Sequence, residues 1–214
     1  MDIDISSVGM EKGQQYETII TTLDKEGNTN TAPIGVIAKD KDEILCRIFE
    51  GSHTLANIRI QKKFMVNITL NPILFTLATI GNIPSEYFNN NLKNNKIPTL
   101  KNVDAYLICE VIDIKEAIKK SDPIRKSKAG LVSSKVVEIV LNNDSAKAAN
   151  RGFYCLIESL VNFTRISFVD EEKQKYFLDR FNESKRIINK VGSKEDKEAI
   201  NLLKKTLKDE GYEV

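Results

Sequence analysis

The sequence predicts an α+β protein, an all-β body followed by a helical tail. Between residue 16 and about residue 143, apolar residues come in short runs rich in Val, Ile, Thr, Tyr and Phe, bounded by turn residues and without helical period. After 143 the period changes, and Leu156, Leu160 and Phe163 recur at helical spacing. The chain has 214 residues, 41% of them hydrophobic, which suits one large domain with an appendage and a sizeable core. The division expected is a β body over 1–142 and a helical extension over 143–214, packed on the body because its apolar stripes are too continuous to be solvated.

The body reads in order. "YETIITTL" (16–23) is a strand, and "DKEGN" (24–28) is a turn with glycine for positive φ. "TNTAPIGVIAK" (29–39) is a second strand holding Pro33 and Gly35; proline cannot donate to a ladder, so this strand is an edge or is locally open. "EILCRIF" (43–49) is a third strand, and a short helix over about 53–62 follows. "FMVNITL" (64–70) and "ILFTLATI" (73–80) read as two strands split by Asn71-Pro72. Residues 81–102, with their asparagine cluster, read as a long loop, of the kind that is usually functional or mobile. "VDAYLICEVIDIKEAIK" (103–119) and "LVSSKVVEIVLNN" (131–143) are long strands joined by a connector. Six or seven short strands favour a barrel or a sandwich.

In the tail, Ala148, Ala149, Phe153, Leu156, Ile157, Leu160, Val161 and Phe163 make a first helical stripe. Tyr176, Phe177, Phe181, Ile187, Ile188 and Val191 supply the buried face of a second helix. Gly192-Ser193 ends it and caps a third, carrying Ala199, Leu202, Leu203 and Leu207.

Composition excludes several functions. The 32 basic and 30 acidic residues nearly cancel, so no global field argues for nucleic acid or a membrane surface. No apolar run reaches the roughly 18–20 residues of a membrane span. The N-terminus lacks the basic-then-apolar order of a signal peptide, and three separate cysteines in apolar contexts fit a reducing cytoplasm. One histidine and scattered cysteines build no zinc site. There is no P-loop, no Gly-x-Gly-x-x-Gly and no Gly-x-Ser-x-Gly elbow.

What remains is "RIFEGSHTLANI" (47–58). Gly51 turns the chain and Ser52 is a good N-cap. His53 and Thr54 open the helix, Asn57 falls one turn after Thr54, and Leu55 and Ile58 anchor the helix to the body. Arg47 lies in the preceding strand, facing away from Cys46 and Ile48. A helix N-terminus with free amides, hydroxyls and an arginine in reach is an anion site, most naturally for phosphate. The same residues also describe an ordinary capped helix beside a surface arginine.

The order "TAPIG", "GSHTLANI", "FMVNIT" resembles the FMN-binding split barrels related to flavin reductases, which carry a Ser-x-x-x-x-Thr-x-x-Asn-Ile-like run before a Phe-Val-Val-Asn-like strand. Thr54, Asn57, Ile58 and Phe64–Asn67 match that pattern, and "AYLICEV" (105–111) resembles a later strand. More closely, the chain resembles an archaeal family, DUF447, in "TAPIGV", "RIFEGSHTLANI", "VNIT" and "NRGFYCLIESLVNFTR" (150–165). The resemblance implies a mainly antiparallel FMN-binding split β-barrel over 1–142, and a homodimer with FMN at the interface. The phosphate would lie at Arg47 and at the turn and helix start formed by Gly51, Ser52, His53, Thr54 and Asn57, and the ring along Thr31, Ala32, Pro33, Ile34 and Gly35. Pyridoxamine-phosphate oxidases, which share the barrel, place basic residues after the Gly-Ser; here His53 and Thr54 stand there, which leaves Arg47 as the main nearby cation. The activity implied is a flavin-dependent oxidoreductase with a nicotinamide or deazaflavin donor. The alternatives are a non-catalytic flavin carrier, sensor or interaction protein, or a barrel that binds another phosphorylated or heme-like ligand.

Overall fold

The computed structural model describes residues 3–81, 83–89, 97–119 and 127–214. They divide into two compact units, Met1–Ala149 and Asn150–Val214. The junction therefore falls at 149/150 and not after residue 142. The reason is local: Ala146 and Ala148 are buried in the core of the first unit, the Ala148 amide donates to the Val8 carbonyl (2.9 Å), and the Glu17 amide donates to the Ala149 carbonyl (2.7 Å). Ala148 and Ala149 thus close the β body and do not begin a helix.

The first unit is an antiparallel barrel of β1 (Gln15–Leu23), β2 (Thr29–Asp40), β3 (Glu43–Phe49), β4 (Lys63–Ile68), β7 (Ala105–Lys119) and β8 (Ser127–Leu141), closed in the order β1-β2-β3-β8-β7-β4. Period-two alternation sorts its side chains. Ile44, Cys46 and Ile48 of β3, and Val132 and Val136 of β8, point into a core that also holds Ile20, Val36, Phe64, Val66, Leu107 and Cys109. Burial pushes the Cys46 thiol up to about 12 and raises Cys109 as well, so both behave as small core hydrophobes. A 3₁₀ turn over Ile5–Val8, with no counterpart in the sequence reading, brings Ile5, Val8 and Met10 into the same core.

Helix α1 (His53–Gln61) joins β3 to β4 and buries Leu55, Ile58 and, beside them, Phe64. Gly130 of β8 makes room for it: a Cβ there would stand 2.8 Å from Leu55 Cδ1.

The segment expected to be a strand over 73–80 is helix α2 (Pro72–Ile80). Asn71 accepts from the amides of Ile73 and Leu74, and Pro72 at the first helical position has its φ already set, so Asn-Pro is a helix start here. Leu74 and Ala78, one turn apart, pack on Ile19, Leu100 and Val103 outside the barrel wall. The stretch expected as a loop over 81–102 contains a 3₁₀ turn (Ser85–Tyr87) and a two-stranded ribbon of β5 (Phe88–Asn89) and β6 (Thr99–Leu100). Its residues 82 and 90–96 lie outside the described residues, as do 120–126 of the connector after β7.

Asn67 of β4 ties this ribbon to the barrel. Fully buried, it donates to the Ile19 carbonyl and to Thr21 Oγ1 (both 2.9 Å) and accepts from the Leu100 amide (3.0 Å).

The second unit consists of α3 (Arg151–Ile166), α4 (Glu171–Val191) and α5 (Lys194–Asp209) around a core of Leu156, Ile166, Phe177, Phe181, Ile188, Ile200, Leu203 and Leu207. Ser193 caps α5 with a complete capping box to Asp196, as the Gly192-Ser193 pair leads one to expect. Five of the expected core residues are exposed. Phe153, Ile157, Leu160 and Leu202 lie outside the buried stripe of their helices, and Tyr176 stands between Lys173 and Arg180, whose cations face its ring.

Replacing Asn67 by Ala leaves the buried Leu100 amide without its acceptor, a loss of about 1–3 kcal/mol. Urea unfolding of Asn67→Ala should show a lower midpoint at unchanged slope; an unchanged midpoint would mean that Asn67 does not clamp the ribbon.

Candidate functional site

The barrel is incomplete at one seam. β2 pairs with β1 along Thr29–Ile37, but its ladder to β3 ends at Val36–Cys46. β3 instead follows β8 through to Phe49–Ala129. One step beyond the last pair, Gly35 and Arg47 would be partners if the ladder continued, and by the same count Asn30 would meet Ser52. The strands part in between. Residues 30–35 are all half-buried, without the alternation of a paired strand, as suits a strand open on one side. Pro33 has no amide to leave unpaired there. At Gly35 an added Cβ would meet the end of the flexible Gln15 side chain, which would have to swing aside.

The far end of this split is closed by side chains. Asn30 Nδ2 donates to Thr54 Oγ1 (3.0 Å) and lies 3.3 Å from Thr22 Oγ1, its cross-strand neighbour. Asn57 Nδ2 donates to the same Thr22 oxygen (3.0 Å). The structure therefore brings Thr31, Ala32, Pro33, Ile34 and Gly35 along one edge of the split, with Arg47, Gly51, Ser52, His53 and Thr54 following the strand and turn opposite. Asn30 and Thr22, absent from the sequence reading, join the two edges. A polar residue just before "TAPIG" was the available signal, but its partner is 24 residues away.

The individual roles differ from the simplest expectation. Ser52 acts as the cap: its hydroxyl accepts from the Leu55 amide (3.3 Å) and donates to the Phe49 carbonyl (2.7 Å). Thr54 and Asn57 are buried and turn inward to the network, so Thr54's hydroxyl does not point out of the helix end. Gly51 holds φ +82°, the left-handed conformation of a tight turn. Arg59 grips Glu50 in a bidentate pair (Nη2–Oε2 2.8 Å), which holds the Glu50 carboxyl below its ordinary range and fixes the turn from the other side. The Glu50 amide donates to the Lys128 carbonyl (3.0 Å), tying the turn to β8. The anion-binding groups left over are the backbone amides of His53 and Thr54, which begin the helix, and the Arg47 guanidinium. Arg47 is exposed on the outer face of β3, and its guanidinium has no hydrogen-bond or ionic partner among the described residues. A groove with an open backbone edge, one glycine, one unpaired guanidinium and free helix amides can hold a flat heteroaromatic group with an anionic tail.

Residues 16–138 match the N-terminal domain of the family described as "Protein of unknown function (DUF447)", and residues 150–205 match its second domain. The chain is 28% identical over 195 residues to the uncharacterized protein MJ1453 of Methanocaldococcus jannaschii, spanning 89% of this chain and 97% of that one. It is similar to the crystal structure of the FMN-bound protein MM1853 of Methanosarcina mazei, a DUF447 protein, with 28% identity, a TM-score of 0.53, and 95% of this chain and 100% of that one covered. Nitrilotriacetate monooxygenase component B of Bacillus cereus gives a TM-score of 0.48 at 16% identity over 60% of this chain and 70% of that one. The fold is a split β-barrel with appended helices. Among the described residues, no helix is long and apolar enough to cross a membrane.

Because Ser52 caps α1 from both sides of its hydroxyl, Ser52→Ala should lower stability by about 1 kcal/mol. Denaturant unfolding measures this, and no change would show that the cap is dispensable.

Proposed function

The chain belongs to the DUF447 family, and from that premise we propose that it is an FMN-binding flavoprotein that works as a flavin-dependent oxidoreductase. The observation that carries the proposal is the split between β2 and β3, with its open backbone edge at residues 31–35 and its anion-binding groups opposite. The FMN-bound relative MM1853, similar over 95% of this chain, supports it. Arg47 and the amides of His53 and Thr54 would hold the phosphate. Thr31 to Gly35 would face the ring, where backbone amides near the flavin pyrimidine favour its reduced, anionic form. Bound there, FMN supplies hydride or electron transfer, and a nicotinamide or a deazaflavin is the donor such chemistry needs.

A second reading, a non-catalytic flavin carrier or sensor, draws on the same lining. Apart from His53, its polar side chains are hydroxyls, amides and one guanidinium, groups that bind and orient but do not shuttle protons at neutral pH. Turnover with NADH, NADPH and reduced deazaflavin separates the two readings. We place the protein in the cytoplasm, where its buried free thiols suit a reducing environment.

The site also suggests assembly. The β2 edge presents unpaired backbone, and α2 is uncharged throughout, with Ile73 and Ile80 exposed at 60% and 66%. We propose a two-fold homodimer with the split at its interface. Light scattering should give about twice the 24.2 kDa chain mass; a flavin-loaded monomer would contradict the arrangement.

Purified protein should be yellow or take up FMN stoichiometrically, and a titration without change in flavin fluorescence at micromolar protein would sink the reading. Arg47→Ala removes a charge-assisted bond of roughly 1.5–3 kcal/mol, so FMN should weaken about 10- to 150-fold. Riboflavin, lacking the phosphate, should be nearly indifferent. An unchanged FMN-to-riboflavin affinity ratio would place the phosphate elsewhere.

A further inference from the structure

We propose that Asn30 is a positioning residue that closes the far end of the split and sets the width a flavin meets there; the flavin part of this inference rests on the function proposed above. Between Val36–Cys46 and the start of α1, no backbone pairing joins β2 to the chain opposite. Across a backbone ladder the strands would lie about 4.8 Å apart. Here the next connection is made by two side chains in series, Asn30 and Thr54, joined at 3.0 Å. Their length holds the edges further apart than a ladder would.

Asparagine suits the place because one amide nitrogen carries two donor hydrogens in a fixed plane. One faces Thr54 on α1 and the other faces Thr22 on β1. Thr22 Oγ1 also accepts from Asn57, which is three positions after Thr54 on the same helix. Asn30, Thr54, the first turn of α1, Asn57 and Thr22 therefore form a closed ring. Thr22 is fully buried, and Thr54 and Asn57 are nearly so, which makes their positions well determined. Only Asn30 in this ring belongs to the open edge, so it links the helix start directly to residues 31–35, which the β1 ladder holds from their other side. It need not touch the ligand to do this. The amides of His53 and Thr54 stay where the ring puts them.

The test uses the full chain, with FMN and riboflavin as probes and amide hydrogen exchange in protein stripped of flavin. In Asn30→Ala the amides of residues 31–35 and 53–55 should exchange faster, by about tenfold, and FMN affinity should fall about five- to tenfold, the effect of one lost hydrogen bond. Binding is measured well below the unfolding temperature, so that lost stability does not enter. Asn30→Gln keeps both donors on a longer arm. It should restore most of the exchange protection while FMN stays weaker than in wild type. Full recovery of affinity in Asn30→Gln would overturn the idea that this residue sets the width. Wild-type protein that binds FMN and an Asn30→Ala variant that binds it equally well would overturn the flavin-positioning role while leaving the flavin reading intact. Wild-type protein that takes up no flavin would overturn that reading and this role with it. In every case, unchanged exchange in Asn30→Ala would overturn the closure itself.

Discussion

The structure depends on a contest at β3. An inner strand of a barrel normally pairs on both sides, yet β3 stays with β8 along its whole length and leaves β2 after one half. The helix that follows explains the choice. Leu55 and Ile58 of α1 are fully buried, with Leu55 seated on Gly130 of β8. Burying two such side chains stabilises by about 1.5–3 kcal/mol each, whereas a backbone hydrogen bond contributes a net 0.5–1.5 kcal/mol or so. Docking the helix against β8 outweighs the few ladder bonds that β2 forgoes. Pro33, which has no amide, makes the loss smaller still.

Once β3 leaves β2, the open seam organises the residues around it. The turn after β3 is held by the Glu50–Arg59 pair and by the bond from the Glu50 amide to Lys128. Ser52 is committed to the cap, and Thr54 and Asn57 to the inner network. The hydroxyls and amides that make this stretch look like a binding motif thus build the frame. In the proposed function the binding is left to backbone amides and to Arg47, whose guanidinium has no partner among the described residues. Such a division keeps the site rigid, because the framing groups are bonded to one another and Thr54 and Asn57 are buried, and leaves the contacting groups free.

The two units show how far sequence patterns reach. The Ser193–Asp196 capping box, the alternation of Ile44, Cys46 and Ile48 and the cap at Ser52 were all legible, since each is a local rule satisfied within a few residues. The α2 helix was not. "ILFTLATI" has the composition of a strand and is short, and Asn-Pro serves equally as a strand break or a helix start. Ala148 and Ala149 were misplaced because two alanines say nothing about which core receives them; the Ala148 bond to Val8 and the Glu17 bond to Ala149 decide that, across more than 130 residues of chain.

By itself, the sequence determined the β-then-α order, most strand positions, the irregular second strand and the Ser52-capped helix start after Arg47, because these follow from propensity, period and capping within short windows. Only the tertiary structure decided that β3 abandons β2, that Thr54 turns inward and that Asn30 spans the gap. Those outcomes turn on contacts between residues far apart in the chain, where the burial of Leu55 against Gly130 competes with backbone pairing. No local pattern records the result of that competition.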